Sequence, residues 1–434
     1  MPSNTWIKPN GKSKLGGFSM KPRDDVKDAM KILGIQTLRK HQIKPIHALL
    51  DGKDIFLVAP TSAGKSAILQ IPALVQAKQG TWTLIIEPTV SLLRDQVRQL
   101  KESGVAAEYL AHDNIRKHER ILSMLSNGEV GVLYTTPERL HTPAFQQAIQ
   151  GKEPWMIAVD ECHCLLDWGY TFRNAYLHIR DFIEGLDSHP VIAAVTATAP
   201  AEYHKEMIKA IGLHDPEIFL NSLVRNNITL LEEDCNGLTL QQKLKRVKTN
   251  IKRYQKDGRA VIYCTTKKHV DVVANYLKEQ FPGQIVKCHS YMEEEERERH
   301  EKLFITGKRD IMVATSAFGM GVNVPDIRLV LHFGLPLSVM DYYQQYGRAG
   351  RDGNRSHAVL LHSQEDLTLN RWVTQKATNS KRLDRWLKKR QQDMVDLVMD
   401  KQCMAQHTLE LLGEANTKAC RYCTHCQLMR RERK

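Results

Sequence analysis

An α/β fold is predicted: two tandem parallel-sheet domains followed by a small helical metal-binding module. Three observations carry that prediction. Short apolar runs alternate with helical stretches through most of the 434 residues, as in parallel sheets covered by helices on both faces. The alternation runs twice, with a connection around Leu213–Leu231 between the two sets. Four cysteines (Cys403, Cys420, Cys423 and Cys426) then gather near the C-terminal end. The length suits two or three domains with cores of their own.

In chain order, residues 1–23 are rich in Pro, Gly, Ser, Lys and Asn and are expected to be disordered. A Gly-Lys-Ser triplet at 11–13 has no strand before it and is set aside. A helix is expected over Asp24–Leu33, then an amphipathic stretch reaching Leu50. Arg39 and Gln42 stand one helical turn apart there. A glutamine so placed can read the N6 and N7 edge of adenine; two surface polar residues are the plainer alternative.

Asp54–Val58 reads as a buried strand and Ala67–Ile71 as the start of a helix. Between them lies Ala59-Pro60-Thr61-Ser62-Ala63-Gly64-Lys65-Ser66. A strand, a tight loop and a helix opening on Gly-Lys-Ser form a phosphate cradle built from backbone N–H groups and the helix dipole. Lys65 suits the β- and γ-phosphates, and the Ser66 hydroxyl suits Mg²⁺. Ala59 stands where the usual pattern has its first glycine.

Thr83–Glu87, Val130–Tyr134, Trp155–Val159 and Val191–Val195 read as further strands, with a helix over Val90–Glu102. The last two strands end in Asp160-Glu161-Cys162-His163 and Thr196-Ala197-Thr198, and chemistry in such sheets gathers at the carboxyl ends of strands. A carboxylate at Asp160 can hold Mg²⁺ opposite Ser66, and Glu161 can orient or deprotonate the attacking water.

The second set has strands over Ala260–Cys264, Ile285–His289, Asp310–Thr315 and Arg328–Phe333, with helices over Lys267–Glu279 and Glu293–Ile305. It has no phosphate loop of its own. It carries Gln344-Gln345-Tyr346-Gly347-Arg348-Ala349-Gly350-Arg351 on or near a helix start, and Arg348 and Arg351 are spaced to reach a γ-phosphate across a domain cleft.

Residues 366–405 read as helical and basic, with Trp372 and Trp386 among Arg and Lys. The spacing Cys403-x16-Cys420-x2-Cys423-x2-Cys426 can close a tetrahedral Zn²⁺ site. An iron–sulfur cluster is the alternative, with His407 or His425 as substitute ligands. Four thiolates leave no open position, so a structural role is favoured.

There are 62 Lys and Arg against 49 Asp and Glu, a net charge of +13. Residues 1–23 hold five basic residues and no acid, and residues 371–434 hold fifteen basic against seven acidic, so the two ends supply the whole excess. Basic ends around a neutral body point to a polyanion, most simply nucleic acid, with a solubilising tail as the plainer reading. The sequence shows no apolar run of membrane-spanning length and no signal-peptide core.

Taken together, residues 24–426 resemble the RecQ family of superfamily 2 DNA helicases. Arg39 and Gln42 match the family's adenine-recognition motif, and APTSAGKS, EPTVSLLRDQV (87–97), DECH (160–163), TAT (196–198), ATSAFGMGVN (314–323) and QQYGRAGR (344–351) match its helicase motifs. CLLDWGYTFR at 164–173 resembles the family's aromatic-rich loop, which couples single-strand binding to hydrolysis.

The resemblance implies two RecA-like domains, residues 24–221 and 222–365, and a helical zinc-binding module with a basic tail over 366–434. It implies a catalytic set of Lys65, Asp160, Glu161, His163, Gln344, Arg348 and Arg351. ATP would be bound by Arg39, Gln42, Pro60, Thr61, Ser62, Ala63, Gly64, Lys65 and Ser66. DNA contact and coupling would fall to Trp168, Phe172, Arg173, Thr196 and Thr198. Mg²⁺ would sit on Ser66 and Asp160, and Zn²⁺ on the four cysteines.

The sequence departs from the family pattern at Leu33, where an aromatic residue usually stacks on adenine, and at Asp167 and Tyr170 of the aromatic-rich loop. A short form lacking the winged-helix and terminal helical domains is expected. The function implied is ATP-driven 3′–5′ movement on single-stranded DNA with duplex unwinding. The alternative is a DNA-stimulated translocase within a repair, recombination or defence complex; a catalytically silent DNA-binding scaffold is the third. Expected partners are single-stranded and partly duplex DNA and proteins supplying duplex binding, without membrane. The expected location is cytoplasmic at the nucleoid, or nuclear in a eukaryote.

Overall fold

The computed structural model describes residues 23–60, 63–167, 174–319, 324–375, 381–415 and 417–432. Thr61, Ser62, Trp168, Phe172, Arg173 and residues 1–22 lie outside them, as do residues 320–323.

Two parallel sheets form, as predicted. The first contains β1 (Ile55–Val58), β2 (Thr83–Ile86), β3 (Ala107–Leu110), β4 (Val132–Thr135), β5 (Met156–Val159), β6 (Val191–Thr196) and β7 (Glu217–Leu220). Its order is β3-β4-β2-β5-β6-β1-β7. Every residue of β1, β2, β4 and β5 is buried. That is why these strands read as continuous apolar runs rather than alternating ones. The second contains β8 (Ile228–Asp234), β9 (Arg259–Tyr263), β10 (Ile285–Cys288), β11 (Ile311–Ala314), β12 (Ile327–Phe333) and β13 (Ser356–His362), in the order β10-β11-β9-β12-β13-β8.

Four strands were not predicted, and each is short, amphipathic or masked by its surroundings. β3 mixes Glu108 and Tyr109 with two apolar residues. β7 falls inside the stretch read as a connection, and β8 begins inside it and runs on to Asp234. β7 is an edge strand whose Ile218 and Leu220 face solvent, and β8 is amphipathic. β13 follows closely on the turn-rich segment after Arg351.

The helical region near the C-terminus is not one run but Gln364–Gln375, Lys381–Met399 and Met404–Leu411, followed by Thr424–Glu432. Among the described residues no helix is long and apolar enough to cross a membrane.

Candidate functional site

β1 carries the chain to Ala59 and Pro60, and the helix Lys65–Ala77 begins at the lysine itself. Gly64 makes the turn at φ 77°, and a Cβ there would come 2.5 Å from Gln42 Nε2. The left-handed angle favours glycine, while the approach is to the movable end of the Gln42 side chain. The Gln42 amide donates to Gly64 O at 3.0 Å, and its oxygen accepts from Arg39 N at 2.8 Å. The glutamine predicted to read adenine is thus turned onto the phosphate loop here. Ser66 Oγ accepts a long hydrogen bond, 3.5 Å, from Gln96.

β5 and β6 bring the next groups alongside. Asp160 is buried, and its Oδ1 accepts from Glu161 N at 2.7 Å. Glu161 holds a left-handed φ of 47°, unusual for a non-glycine and concentrated at functional sites. Its Oε1 lies 3.4 Å from Lys65 Nζ and its Oε2 3.2 Å from His163 Nδ1. His163 Nδ1 also stands 2.9 Å from Thr196 Oγ1, and Thr196 Oγ1 donates to Thr198 O at 2.9 Å. Burial pushes Asp160 up to about 6, helped by the neighbouring Glu161 charge and opposed by Lys65. Burial would raise Glu161 too, but Lys65 and His163 hold it well below the usual carboxylate range. Glu161 is therefore ionised at neutral pH.

Gln344 reaches this cluster from the second sheet. Its helix, Val339–Tyr346, is capped by Ser338, whose Oγ accepts from Asp341 N at 3.0 Å. The Gln344 amide lies 3.0 Å from both His163 Nε2 and Thr198 Oγ1. The stretch holding Arg348 and Arg351 was expected on or near a helix start. The two arginines follow the end of this helix, where Gly350 turns the chain at φ 56°. Arg348 donates to the carbonyl of Gly319 within its own domain. Burial and then Arg348 bring Arg351 down to about 10, while Tyr263 and the Glu161 carboxylate across the cleft act the other way. Arg351 thus stays charged at neutral pH and within electrostatic reach of Glu161.

Glu87, named above as a strand end and within a motif but not as a site residue, directly follows β2 beside Asp160. It is buried, and its Oε2 has no hydrogen-bond partner. Burial, then Asp160 and Glu161, push its carboxyl well above the usual range, against Lys65. A carboxylate closing a buried strand was its signal, the same one that marked Asp160. A group with a raised folded pKa contributes stability below its unfolded pKa and loses it as pH rises. Glu87→Gln is therefore expected to raise the melting temperature of the nucleotide- and metal-free protein at pH 8, with the gain shrinking toward pH 5. A gain that persists unchanged at pH 5 would contradict the assignment; differential scanning calorimetry decides.

The four cysteines converge. Cys403 precedes the helix Met404–Leu411, and Cys426 lies in the first turn of Thr424–Glu432. Their sulfurs all lie within 4.8 Å of one another, with Cys403 and Cys423 4.0 Å apart. Sulfurs about 2.3 Å from a central zinc at tetrahedral angles stand roughly 3.8 Å apart, so the set fits. Backbone N–H of Cys420 and Cys423 donate to Cys403 Sγ and Cys420 Sγ at 3.1 and 3.3 Å. His425, considered as a substitute ligand, is otherwise engaged: Nδ1 meets Gln402 O at 2.8 Å and Nε2 meets the Glu232 carboxylate. His407 Nε2 lies 3.9 Å from Asp400.

Two parallel sheets, one carrying a Gly-Lys-Ser loop and the other bridged to it through Gln344, have the architecture of a two-domain helicase core. Residues 39–207 match the DEAD/DEAH box helicase family, and 242–353 match the helicase conserved C-terminal domain. The Bacillus subtilis ATP-dependent DNA helicase RecQ is 33% identical over 396 residues, covering 91% of this chain and 65% of that protein. The probable ATP-dependent DNA helicase RecS of the same organism is 32% identical over 79% of this chain and 67% of its own length. Among solved structures, S. cerevisiae Dbp5 bound to RNA and ADP BeF3 superposes with a TM-score of 0.65 at 16% identity, covering 86% of this chain and 98% of that one. The chain belongs to the RecQ helicase family, and spans less than two thirds of the B. subtilis RecQ it matches.

Proposed function

We propose that this chain hydrolyses ATP to move 3′ to 5′ along single-stranded DNA and to unwind duplex. Residues 24–221 would form the ATP-binding domain, 222–365 its closing partner and 366–434 the metal-binding module. The observation that carries the reading is the Gln344 bridge, which joins the strand ends of the first sheet to the helix preceding the two arginines. Polarity rests on the family relationship alone.

ATP would lie on the backbone N–H groups of the phosphate loop, with Lys65 drawing in the β- and γ-phosphates. Mg²⁺, when bound, would screen the phosphate charge, and Ser66 and Asp160 are the residues to hold it. The donor set suits a divalent cation: Glu87, Asp160 and Glu161 face one lysine, and one buried carboxylate oxygen is unpartnered. Glu161, ionised and held by His163, would orient the attacking water. Arg348 and Arg351 would complete the charge stabilisation as the domains close. In that closure Arg348 would exchange its Gly319 partner for phosphate.

Trp168 and Phe172 would stack on bases and Arg173 would meet phosphate, with Thr196 and Thr198 relaying to His163. Single-stranded DNA should then stimulate turnover strongly. Trp168→Ala should lower the stimulated rate severalfold more than the basal rate in steady-state ATPase assays. Equal losses would remove the coupling role. Strand displacement measured beside ATPase tests the whole reading: ATP-dependent displacement from a 3′ tail supports it. Turnover without displacement would leave a translocase.

A further inference from the structure

The segment joining the two sheets, between Leu220 and Ile228, is held along its length. Glu414 takes one end: its two carboxylate oxygens accept from Ser222 Oγ at 2.6 Å and from Leu223 N at 2.8 Å. Tyr422 OH donates to Asn226 O at 3.1 Å. Both clasping residues belong to the cysteine module. Glu414 lies just beyond the helix that starts after Cys403, and Tyr422 sits between Cys420 and Cys423. The approach is close, because a Cβ on Gly413, at φ 87°, would stand 2.6 Å from Ala201 N of the first domain.

The opposite side of the same segment grips the arginine loop. Arg225 donates to Gly347 O at 2.6 Å and to Ala349 O at 2.8 Å, the carbonyls on either side of Arg348. Tyr343 OH, on the helix that carries Gln344, donates to Leu223 O at 2.8 Å. Asn227 donates to Gly350 O at 2.8 Å. Leu223 therefore has its N–H on Glu414 and its carbonyl on Tyr343. A single peptide segment lies between the module and the loop presented to the phosphates.

We propose that Glu414 is a positioning residue for ATP hydrolysis: through Ser222 and Leu223 it fixes the hinge, and so sets how Arg348 and Arg351 meet the nucleotide when the domains close. This rests on the ATPase reading above. A carboxylate accepting two hydrogen bonds from a partly buried hinge stiffens it. Its removal frees the segment to adopt several conformations, in which the arginines arrive misaligned. Binding of ATP to the first domain does not use the clasp, so the effect belongs to the catalytic step.

The test uses the full zinc-loaded chain. Glu414→Ala should keep its zinc and its KM for ATP within about twofold, while kcat with saturating single-stranded DNA falls about tenfold. Glu414→Gln should restore most of the rate, since its amide oxygen can accept from Leu223 N and its NH₂ can donate to Ser222 Oγ. Fluorescence energy transfer between dyes on the two domains, with a non-hydrolysable ATP analogue and Mg²⁺, should show a broadened closed state in Glu414→Ala only. Unchanged kcat in Glu414→Ala, a raised KM at constant kcat, loss of zinc, or failure of Glu414→Gln to rescue would each overturn the proposal. If the wild-type chain hydrolysed no ATP, the ATPase reading would fall. The energy-transfer distribution would still judge the clasp, and identical distributions would reject it.

Discussion

Arg351→Ala is expected to bind ATP and single-stranded DNA as the parent does and to hydrolyse ATP at least roughly a hundredfold more slowly. Arginines supplied to a γ-phosphate contribute about 10³–10⁵ in rate in other phosphoryl-transfer enzymes, so the expectation lies at the conservative end. On the proposed mechanism Arg351 acts in the transition state rather than in nucleotide capture. Burial brings Arg351 down to about 10, so it remains charged at neutral pH. Lys65, proposed to draw in the phosphates, stands on the first domain 3.4 Å from Glu161, so nucleotide capture is expected to survive the loss of Arg351. Lys65→Ala provides the contrast, losing both turnover and nucleotide affinity. Single-turnover kinetics beside fluorescent-nucleotide binding separate the two. A folded Arg351→Ala protein with near-normal turnover would mean that the second domain does not complete the site, and the proposed mechanism would be withdrawn.

Cys423→Ser is expected to abolish zinc retention and loosen the C-terminal module. Structural zinc contributes about 10–16 kcal/mol of apparent binding energy in zinc-finger peptides at neutral pH. Here the site is tied to a folded body, so part of the module's packing should survive. The helix Thr424–Glu432 should suffer most, because Cys423 precedes it and the Thr424 and His425 contacts to Glu232 depend on its placement. Metal analysis should find close to one zinc per parent chain and almost none in the variant, with tryptic cleavage after Arg430 and Arg421 accelerated. Full zinc in the variant, or iron in the parent, would refute this assignment.

The parts legible in the sequence share a physical cause. Strands buried on both faces are continuous apolar runs, and a polar residue ending such a run stands out, so Asp160 and Thr196 were visible. Edge strands such as β7 lack that signature, because half their residues meet water. Glu87 ended a strand in the same way but was read as part of a longer motif. The placement of Arg348 and Arg351 after the end of a helix rather than on or near its start goes with the turn at Gly350, whose left-handed backbone no pattern of polarity discloses. The Gln42 amide and the Glu414 clasp were invisible for another reason. Their partners are set by tertiary approach, and Glu414 and Leu223 are 191 positions apart.

The topology of the second sheet also bears on how the chain is made. β8 opens that sheet in sequence yet, among the described residues, pairs only with β13. At about 5–20 residues per second of synthesis, β8 would leave the ribosome roughly ten seconds before its mate. Ile228 and Leu230, buried in the finished protein, must wait uncovered through that interval. The nascent chain is thus open to mispairing and to chaperone capture until residue 362 emerges, as it is earlier while β1 waits for β6. Synonymous codons that slow translation between β8 and β13 should lengthen that exposure and lower the soluble yield.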